Sequence, residues 1–456
     1  MSLIKGRNNS ILSLYKGQMR DIIRQKIVDS LASPIPEFTR RDVYVPNLRG
    51  KAIAVIGMRR TGKSTFLWQI LGDRLAKGAS RESLLYFGFE DERLTGMKAA
   101  DLQFLVEEYY RLYPGLRDRG RAVFFLDEIQ VVSGWESFVR RLLETEKVEL
   151  YLSGSSARLL SREVATSMRG RAMEALVHPF SFREYLRHIG REPEKEPDHL
   201  PKAKRSLLEK DLREYLSNGG FPESIGAESR DRFDLLRGYI DTALLRDVIE
   251  RHGVSHPLAL RWMVHHLLAN AAGSFSINKY YNALQSQGIP IAKDTLHEYL
   301  AFLEDAFLIR SVSISSASEK RRMVNPRKVY PIDMGLIPLF DPSGKLNIGH
   351  ALETCVMLEL ERRGAEVSYV KNASGSEVDF LARYRDGHCE VIQVCAELDA
   401  PEVRDREIQG LVEAIAENKT AAAHLIVLVL ERPPDVPKFI KLHSASEWLL
   451  SESAKK

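Results

Sequence analysis

The strongest chemistry in this 456-residue chain lies in one short run, Gly57-Met58-Arg59-Arg60-Thr61-Gly62-Lys63-Ser64. It fits the spacing G-x-x-x-x-G-K-[ST]. Glycines at both ends let successive backbone N–H groups curl around an anion, and a helix starting there adds its positive dipole. Lys63 would reach the β- and γ-phosphates of a nucleotide, and Ser64 would hold Mg²⁺. Gly57, Arg60, Thr61, Gly62 and Thr65 complete the candidate nucleotide-binding loop. A chance glycine turn is the plain alternative. The context opposes it, because a β-branched run (Ala52–Ile56) precedes the loop and an amphipathic one (Thr65–Ile70) follows.

Carboxylates come from a second motif. Phe124-Phe125-Leu126-Asp127-Glu128 is an apolar run ending in two acids, and α/β sheets bind ligands at the C-terminal ends of their strands. Asp127 would contact Mg²⁺ through water, and Glu128 would accept a proton from the attacking water. Alone, such a strand end is common; beside a phosphate loop it reads as the hydrolytic half of one site. Ser153, in Ser153-Gly154-Ser155-Ser156, stands where a polar side chain could sense the γ-phosphate, with a plain Gly-Ser turn as the competing reading. Ser167-Met168-Arg169-Gly170-Arg171 offers an arginine to a neighbouring subunit's site, where it would stabilise transition-state charge. Arg171 is preferred to Arg169, and a solvated basic turn is the alternative.

The elements that must position these groups follow from the apolar pattern. Apolar runs at 52–56, 84–89 and 122–126 read as buried strands, 148–152 as a fourth and 173–177 as a candidate fifth, with helical stretches between them. That alternation predicts an α/β domain with a parallel sheet. Residues 15–45 read as a charged helical lead-in ending at the Pro34–Pro36 turn. Residues 181–255 read as helical, interrupted at Ser217-Asn218-Gly219-Gly220-Phe221-Pro222. Helices near 257–271, 277–286 and 294–306, then Phe307-Leu308-Ile309-Arg310 and a basic loop, give a winged-helix order. A helix at Ala351–Arg363, strands at 366–371, 377–381 and 389–395, a helix at 402–417 and a strand at 424–430 close the chain as αβββαβ.

Composition excludes several classes. Apolar residues at 44% and charged residues at 28% rule out dominant disorder. Three cysteines, Cys355, Cys389 and Cys395, make neither a disulfide framework nor a zinc ribbon. The start, Met1-Ser2-Leu3-Ile4-Lys5-Gly6-Arg7, lacks an apolar export stretch, and no run is long enough to cross a bilayer. A cytoplasmic protein without membrane partners is expected. The net charge of +4 hides an asymmetry. From Lys345 onward 14 Lys and Arg face 19 Asp and Glu, so the preceding residues carry a basic excess. Two different tasks are implied.

The basic part holds a candidate DNA surface. Residues 276–284 and 293–300 can pair as a helix-turn-helix about Gly288-Ile289-Pro290, with Lys293 and His297 outward on the second helix. Lys320, Arg321, Arg322, Arg327 and Lys328 then crowd one short loop, which suits a wing on a phosphate backbone. Protein contact or a solvated charge run are the alternatives.

Together these motifs resemble the prokaryotic AAA-type ATPases that carry a C-terminal domain of unknown function. The resemblance rests on the phosphate loop, Asp127-Glu128-Ile129-Gln130 with Gly134-Trp135-Glu136, Ser153-Gly154-Ser155-Ser156, Gly170-Arg171, and His178-Pro179-Phe180-Ser181-Phe182-Arg183-Glu184-Tyr185. Gly219-Gly220-Phe221-Pro222, Arg246-Asp247 and Lys328-Val329-Tyr330-Pro331-Ile332-Asp333 extend it across roughly residues 20–340. It implies an AAA-type core (1–180), a helical lid (181–255) whose Arg246 reads the nucleotide, and a winged helix (256–342). The remainder (343–456) resembles the PD-(D/E)xK nuclease fold, in which a helix Glu, a strand Asp and a (D/E)-x-K triplet bind a divalent metal. Glu353 and Asp379 match the first two; Gln393 and Cys395 stand in the triplet where an acid and a lysine belong. Gln393 could ligate a metal but brings no charge, and Lys371 on the adjacent strand could substitute for the lysine. A non-cleaving or weak nuclease-like domain is expected.

The resulting expectation is an ATP- and Mg²⁺-dependent homo-oligomer, by analogy a hexamer, that acts on duplex or branched DNA such as a Holliday junction. Two rival readings stand beside it: a signalling ATPase switch that recruits a protein partner, and an ATP-dependent metal nuclease.

Overall fold

The computed structural model describes residues 2–118, 122–154, 170–194, 200–341, 347–430 and 436–451, with side chains from residue 15 onward. The chain divides into two compact units, residues 1–177 and 178–456.

The first unit opens with helix α1 (Ser2–Ala32), which stops short of Pro34 and Pro36. Residues 33–48, expected to be helical in part, carry no helix, because each proline lacks a donor and pushes its predecessor into extended backbone. Strands β1 (Ala52–Ile56), β2 (Leu84–Gly88), β3 (Ala122–Asp127), β4 (Val148–Ser153) and β5 (Ala172–Leu176) alternate with helices α2 (Lys63–Ala76), α3 (Leu102–Leu112) and α4 (Trp135–Thr145). Among the described residues the strands form one parallel sheet in the order β2-β3-β4-β1-β5. All five expected strands are present, which follows from their apolar runs. β1 and β3 are buried at every position, and their side chains are apolar except for Asp127 at the end of β3. Phe66, Leu67, Ile70 and Leu71 of α2 pack with Ile53, Val55 and Phe125 of the sheet.

Sequence-distant charge holds α1 to this unit. Glu108 on α3 is fully buried and accepts from Arg20 Nη1 and Arg24 Nε, each at 2.9 Å, and from Arg111 Nη1 at 2.8 Å. A buried carboxylate is tolerated only when its lone pairs are filled in this way.

In the second unit α5 (Phe182–His188) starts from a capping box, Ser181 with Glu184. Helix α6 (Lys202–Asn218) ends at Gly219-Gly220, and α7 (Ser229–Thr242) runs on into a π-helical stretch, Ala243–Ile249. Gly219 is required by Asp333, and Gly220 by the Phe180 backbone, whose carbonyl oxygen would lie 2.4 Å from a Cβ there. The buried Asp333 carboxylate accepts the N–H of Gly220 at 2.7 Å and of Gly335 at 2.9 Å. A Cβ on Gly219, which has φ +80°, would stand 1.8 Å from Asp333 Oδ1. The Gly-Gly-Phe-Pro and Val-Tyr-Pro-Ile-Asp motifs therefore meet, although Gly220 and Asp333 are 113 residues apart.

Next come α8 (Pro257–Ala269), β6 (Ser274–Phe275), α9 (Ile277–Ser286), α10 (Lys293–Asp305), β7 (Ile309–Val312), α11 (Glu319–Val324) and β8 (Arg327–Pro331). The strands form an antiparallel sheet ordered β6-β8-β7. The expected basic loop is in fact a helix followed by a strand. Ser318 caps that helix by accepting the N–H of Arg321 at 3.3 Å.

Helix α12 (Ile348–Arg362), strands β9 (Glu366–Lys371), β10 (Glu377–Arg383) and β11 (Cys389–Cys395), helix α13 (Pro401–Glu417) and strand β12 (Ala422–Val427) reproduce the expected αβββαβ order. A further strand, β13 (Ile440–Ser444), and helix α14 (Ala445–Leu450) follow. The sheet order is β13-β12-β11-β10-β9, antiparallel from β9 to β11 and parallel from β11 to β13. Val378, Leu381, Val391, Leu411, Ala414 and Leu425 lie in its core. Among the described residues no helix is long and apolar enough to cross a membrane.

Candidate functional site

The phosphate loop links β1 to α2. Gly57 has φ +147°, and a Cβ there would lie 2.2 Å from the carbonyl oxygen of Val177. Only glycine lets the chain leave β1 so close to that backbone. Arg60 and Gly62 also take positive φ, 68° and 92°, which winds the loop inward. Thr61 Oγ1 donates to the Met58 carbonyl at 3.0 Å, and Lys63 Nζ donates to the same oxygen at 2.9 Å. Lys63 is buried, Ser64 half-buried, and Arg60 and Thr65 exposed. Helix α2 starts at Lys63, and its N-cap Gly62 offers no side chain to the first-turn N–H groups. Those donors remain aimed at an incoming anion.

Arg41 also shapes this loop, although no motif marks it. It is buried, its Nη1 donates to the Thr61 carbonyl at 2.8 Å, and its backbone exchanges two hydrogen bonds with the Gln69 amide at 2.7 and 3.0 Å. An arginine from the extended N-terminal segment thus supports the phosphate loop from behind.

The strand order puts β4 between β1 and β3, so the loop after β1 and the acids ending β3 open on one edge. Asp127 is buried and accepts from Tyr86 Oη at 2.5 Å and from the Ser153 hydroxyl. Ser153 Oγ also accepts the Glu128 N–H at 2.9 Å. The serine therefore ties the two acids together and takes a structural part in the pair. Glu128 has φ 54°, a left-handed conformation that turns its side chain away from the strand line. Its carboxylate accepts from the Gln130 amide. Burial pushes the Glu128 carboxyl above the usual carboxylate range, Lys63 opposes this, and Asp127 adds to it. Lys63, Asp127 and Glu128 are thereby brought together as expected.

Tyr86 was missed by sequence reading. Its hydroxyl lies beside both Asp127 and Ser64, and burial followed by the Asp127 charge raises its pKa far above the ordinary value. The signal, in retrospect, is one polar atom in an otherwise apolar strand. The Ser64 hydroxyl and the Asp127 carboxylate converge on that one phenol oxygen. Hard oxygen donors of this kind suit Mg²⁺, with Ser64 and Asp127 as the groups that would hold it.

Arg171 sits just before β5, and its guanidinium pairs with Glu144 of the same chain. Arg169, Ser155 and Ser156 lie outside the described residues. Arg246, in the π-helical stretch, is exposed and pairs with Glu250 at 2.9 Å.

In the second unit Lys293, His297 and Arg327 are exposed and adjoining. The His297 ring is pushed down by burial and then by the Lys293 and Arg327 charges. Lys320 and Arg321 are exposed on α11; Arg322 is half-buried, donating to the Ser316 carbonyl at 2.8 Å and pairing with Glu319.

Lys328 departs from the wing reading. It is 7% exposed, and its Nζ donates to Glu353 Oε1 and Asp379 Oδ1, each at 2.9 Å. The reason is strand alternation, since neighbours on β8 face opposite sides of the sheet. Arg327 points to solvent, whereas Lys328 and Tyr330 face the acids of α12 and β10. Tyr330 Oη donates to the same Glu353 oxygen at 2.8 Å. Gln393 Oε1 accepts the Asp379 N–H at 3.2 Å, and its Nε2 donates to Glu407 at 2.6 Å. The expected trio Glu353, Asp379 and Gln393 is thus assembled, but an ammonium lies between its acids. Lys371 does not join it, pairing instead with Glu377 at the surface, 3.4 Å away. Among the described residues no group of three or more His, Cys, Asp or Glu is placed to hold a metal ion.

Comparison with known proteins adds the following. An AAA domain matches residues 49–186, and a domain of unknown function (DUF8612) matches residues 209–342. The uncharacterized protein MJ1544 of Methanocaldococcus jannaschii is 33% identical over 393 residues, covering 85% of this chain and 84% of its own. An uncharacterized protein of Haemophilus influenzae is 32% identical over 349 residues, covering 76% and 82%. The Walker-type ATPase PABY2304 of Pyrococcus abyssi aligns over 70% of this chain and 95% of that one, at 15% identity and a TM-score of 0.42. The Aeropyrum pernix ORC1 protein, solved in complex with DNA, aligns over 70% and 91%, at 14% identity and a TM-score of 0.28. With an AAA domain built on this phosphate loop, and one-third identity to MJ1544 along most of both chains, the protein is an AAA-domain protein and belongs to the same family as MJ1544.

Proposed function

We propose that this protein is an oligomeric, Mg²⁺-dependent ATPase that acts on DNA. The observation that carries the ATPase reading is the single cluster of Lys63, Ser64, Asp127, Glu128 and Ser153 at one sheet edge. Lys63, freed from the Met58 carbonyl, would neutralise the β- and γ-phosphates. Glu128, held by Ser153 through its N–H and by Gln130 through its carboxylate, would orient and deprotonate the attacking water. When bound, Mg²⁺ would neutralise phosphate charge next to Ser64 and Asp127. Arg171 would complete a neighbouring subunit's site, and Arg246 would report nucleotide state from the lid.

The DNA reading rests on the exposed cluster of Lys293, His297 and Arg327 with Lys320 and Arg321. It lies on a helix–strand–helix–helix–strand–helix–strand order, which suits a winged helix whose wing carries the short helix α11. Arg322, tied back to Ser316 and Glu319, would stiffen α11. Branched DNA and a hexameric ring are the finer form of this proposal. The C-terminal sheet would serve as a nuclease-like module that binds without cutting.

The test is ATP turnover measured without DNA, with a linear duplex and with a four-way junction. A motor on branched DNA is expected to turn over several-fold faster with the junction. Turnover indifferent to both DNAs would refute the DNA reading and favour a nucleotide switch with a protein partner.

A further inference from the structure

The buried group at the heart of the second unit is unused by ATP hydrolysis and by the basic surface. Lys328 Nζ lies 2.9 Å from Glu353 Oε1 and 2.9 Å from Asp379 Oδ1. Several other polar atoms around it are engaged as well. Glu353 Oε1 also receives the Tyr330 hydroxyl, and Asp379 Oδ2 receives the Val394 N–H at 3.0 Å. The Gln393 carbonyl is taken up by the Asp379 N–H, and its amide by Glu407. Glu353 Oε1 and both Asp379 oxygens are atoms a divalent cation would need, and an ammonium, a phenol and a backbone N–H occupy them.

We propose that Lys328 is an internal cation that takes the place of a metal between Glu353 and Asp379, and that the resulting ion triad is a latch fastening β8 to α12 and β10. The proposal goes beyond the ATPase reading and does not depend on it. Its physical basis is the cost of burying charge. Two carboxylates at one buried spot repel each other, and a buried cation between them is held only by good geometry. Both contacts lie at the distance of a strong charge-assisted hydrogen bond. Burial opposes the Lys328 charge, yet the two acids more than offset it and hold the ammonium firmly protonated. Because two acids share one cation, Glu353 retains excess negative surroundings, and burial with the Asp379 charge pushes its carboxyl up. The latch also ties the two faces of one strand together. Arg327, exposed on β8, adjoins Lys328 in sequence, so a load on the basic surface is borne by the triad and passed to the C-terminal sheet.

The experiment is Mn²⁺ uptake by the nucleotide-free full-length protein, read by the paramagnetic resonance of free Mn²⁺. Wild type is expected to show no uptake that Asp379→Asn removes. Lys328→Met is expected to gain about one Mn²⁺ per chain, and Lys328→Met with Asp379→Asn to lose it again. Wild-type uptake that Asp379→Asn abolishes would overturn the proposal, as would a folded Lys328→Met that gains none. Should Lys328→Met fail to fold, hydrogen exchange in Glu353→Gln with Asp379→Asn decides the latch. Backbone exchange along β8 and β10 is expected to accelerate together, at least about tenfold. Unchanged exchange, or acceleration in one strand alone, would overturn it.

Discussion

Glu128→Gln isolates the hydrolytic step from nucleotide binding. The exchange is nearly isosteric, and the backbone at φ 54° is as open to glutamine as to glutamate. The Ser153 contact survives because it uses the residue 128 N–H, and a glutamine carbonyl can still accept from the Gln130 amide. What is lost is the proton acceptor. General-base assistance is worth about 10²–10⁴ in rate, or roughly 3–5 kcal/mol at about 1.4 kcal/mol per decade. Phosphate release should therefore fall by at least about a hundredfold, while titration with a fluorescent ATP analogue shows affinity within about threefold of wild type. The pH profile adds a second reading. Glu128 must be ionised to act, and burial lifts its pKa above the ordinary carboxylate range. Wild-type turnover should therefore fall on the acid side at a pH above that of an exposed glutamate, and the variant should lack this limb. The stability linkage has the opposite sense. A carboxyl whose folded-state pKa is raised contributes stability at low pH that is lost as pH rises through that pKa. Replacing it by glutamine should raise the melting temperature relative to wild type at pH 8 and not at pH 4. Near-wild-type turnover in Glu128→Gln would refute the base assignment. A tenfold loss of nucleotide affinity would show that the carboxylate serves binding instead.

Four further outcomes are expected. Lys63→Ala should weaken ATP binding by roughly a hundredfold, measured by the same titration, because Lys63 is buried in the loop whereas Arg60 is exposed. Arg171→Ala alone should cut turnover, and mixing it with Lys63→Ala should restore part of it, since each variant then supplies what the other lacks; absence of rescue at matched oligomer concentration would count against an intersubunit finger. Charge reversal at Lys320 and Arg327 should lower the salt slope of duplex binding by about one unit per lost phosphate contact, and an unaltered slope would remove both residues from the DNA surface. Lys328→Met strands two buried acids, which costs about 3–5 kcal/mol. For a unit of this size that corresponds to a melting temperature lower by roughly 6–15 °C in a thermal scan at neutral pH.

The phosphate site was legible because its chemistry is local. A strand, a glycine-bounded loop and a helix start lie within Ala52–Ala76, and the apolar run before Asp127 marks the partner strand without any tertiary knowledge. β1, β2 and β3 were legible for the same reason, as continuous apolar runs, whereas β4 and β5 are each interrupted by a glutamate, Glu149 and Glu174. Tyr86 and Arg41 were not legible. Each acts through one polar atom delivered by an element whose own pattern speaks only of packing or of extended chain. Tyr86 reaches Asp127 across 41 residues, and Arg41 reaches Thr61 across 20. The additional strand β13 and helix α14 escaped notice because β13, Ile440-Lys441-Leu442-His443-Ser444, alternates too briefly to separate from a loop.

The misreading of Lys328 has a more specific cause. Five basic residues between Lys320 and Lys328 look like one solvated patch when counted along the chain. Once α11 ends and β8 begins, the two-residue period divides them, and Arg327 and Lys328 take opposite faces. The same placement accounts for the departure from the nuclease pattern at residue 393. A centre with Lys328, Glu353 and Asp379 already carries one uncompensated negative charge. A third acid at 393 would add another at a 6% exposed position, with Glu407 only one hydrogen bond away. Neutral Gln393 avoids that repulsion, and its amide can donate to Glu407 while its carbonyl accepts from Asp379, which no carboxylate could do at once. With the cation supplied from β8, a lysine at 395 has no acid left to serve. Cys395 instead directs its thiol to the Glu397 carbonyl at 2.9 Å. Gln393 and Cys395 are thus consistent with a centre whose cation is built in, and the neutral residue at 393 and the burial of Lys328 become one electrostatic arrangement.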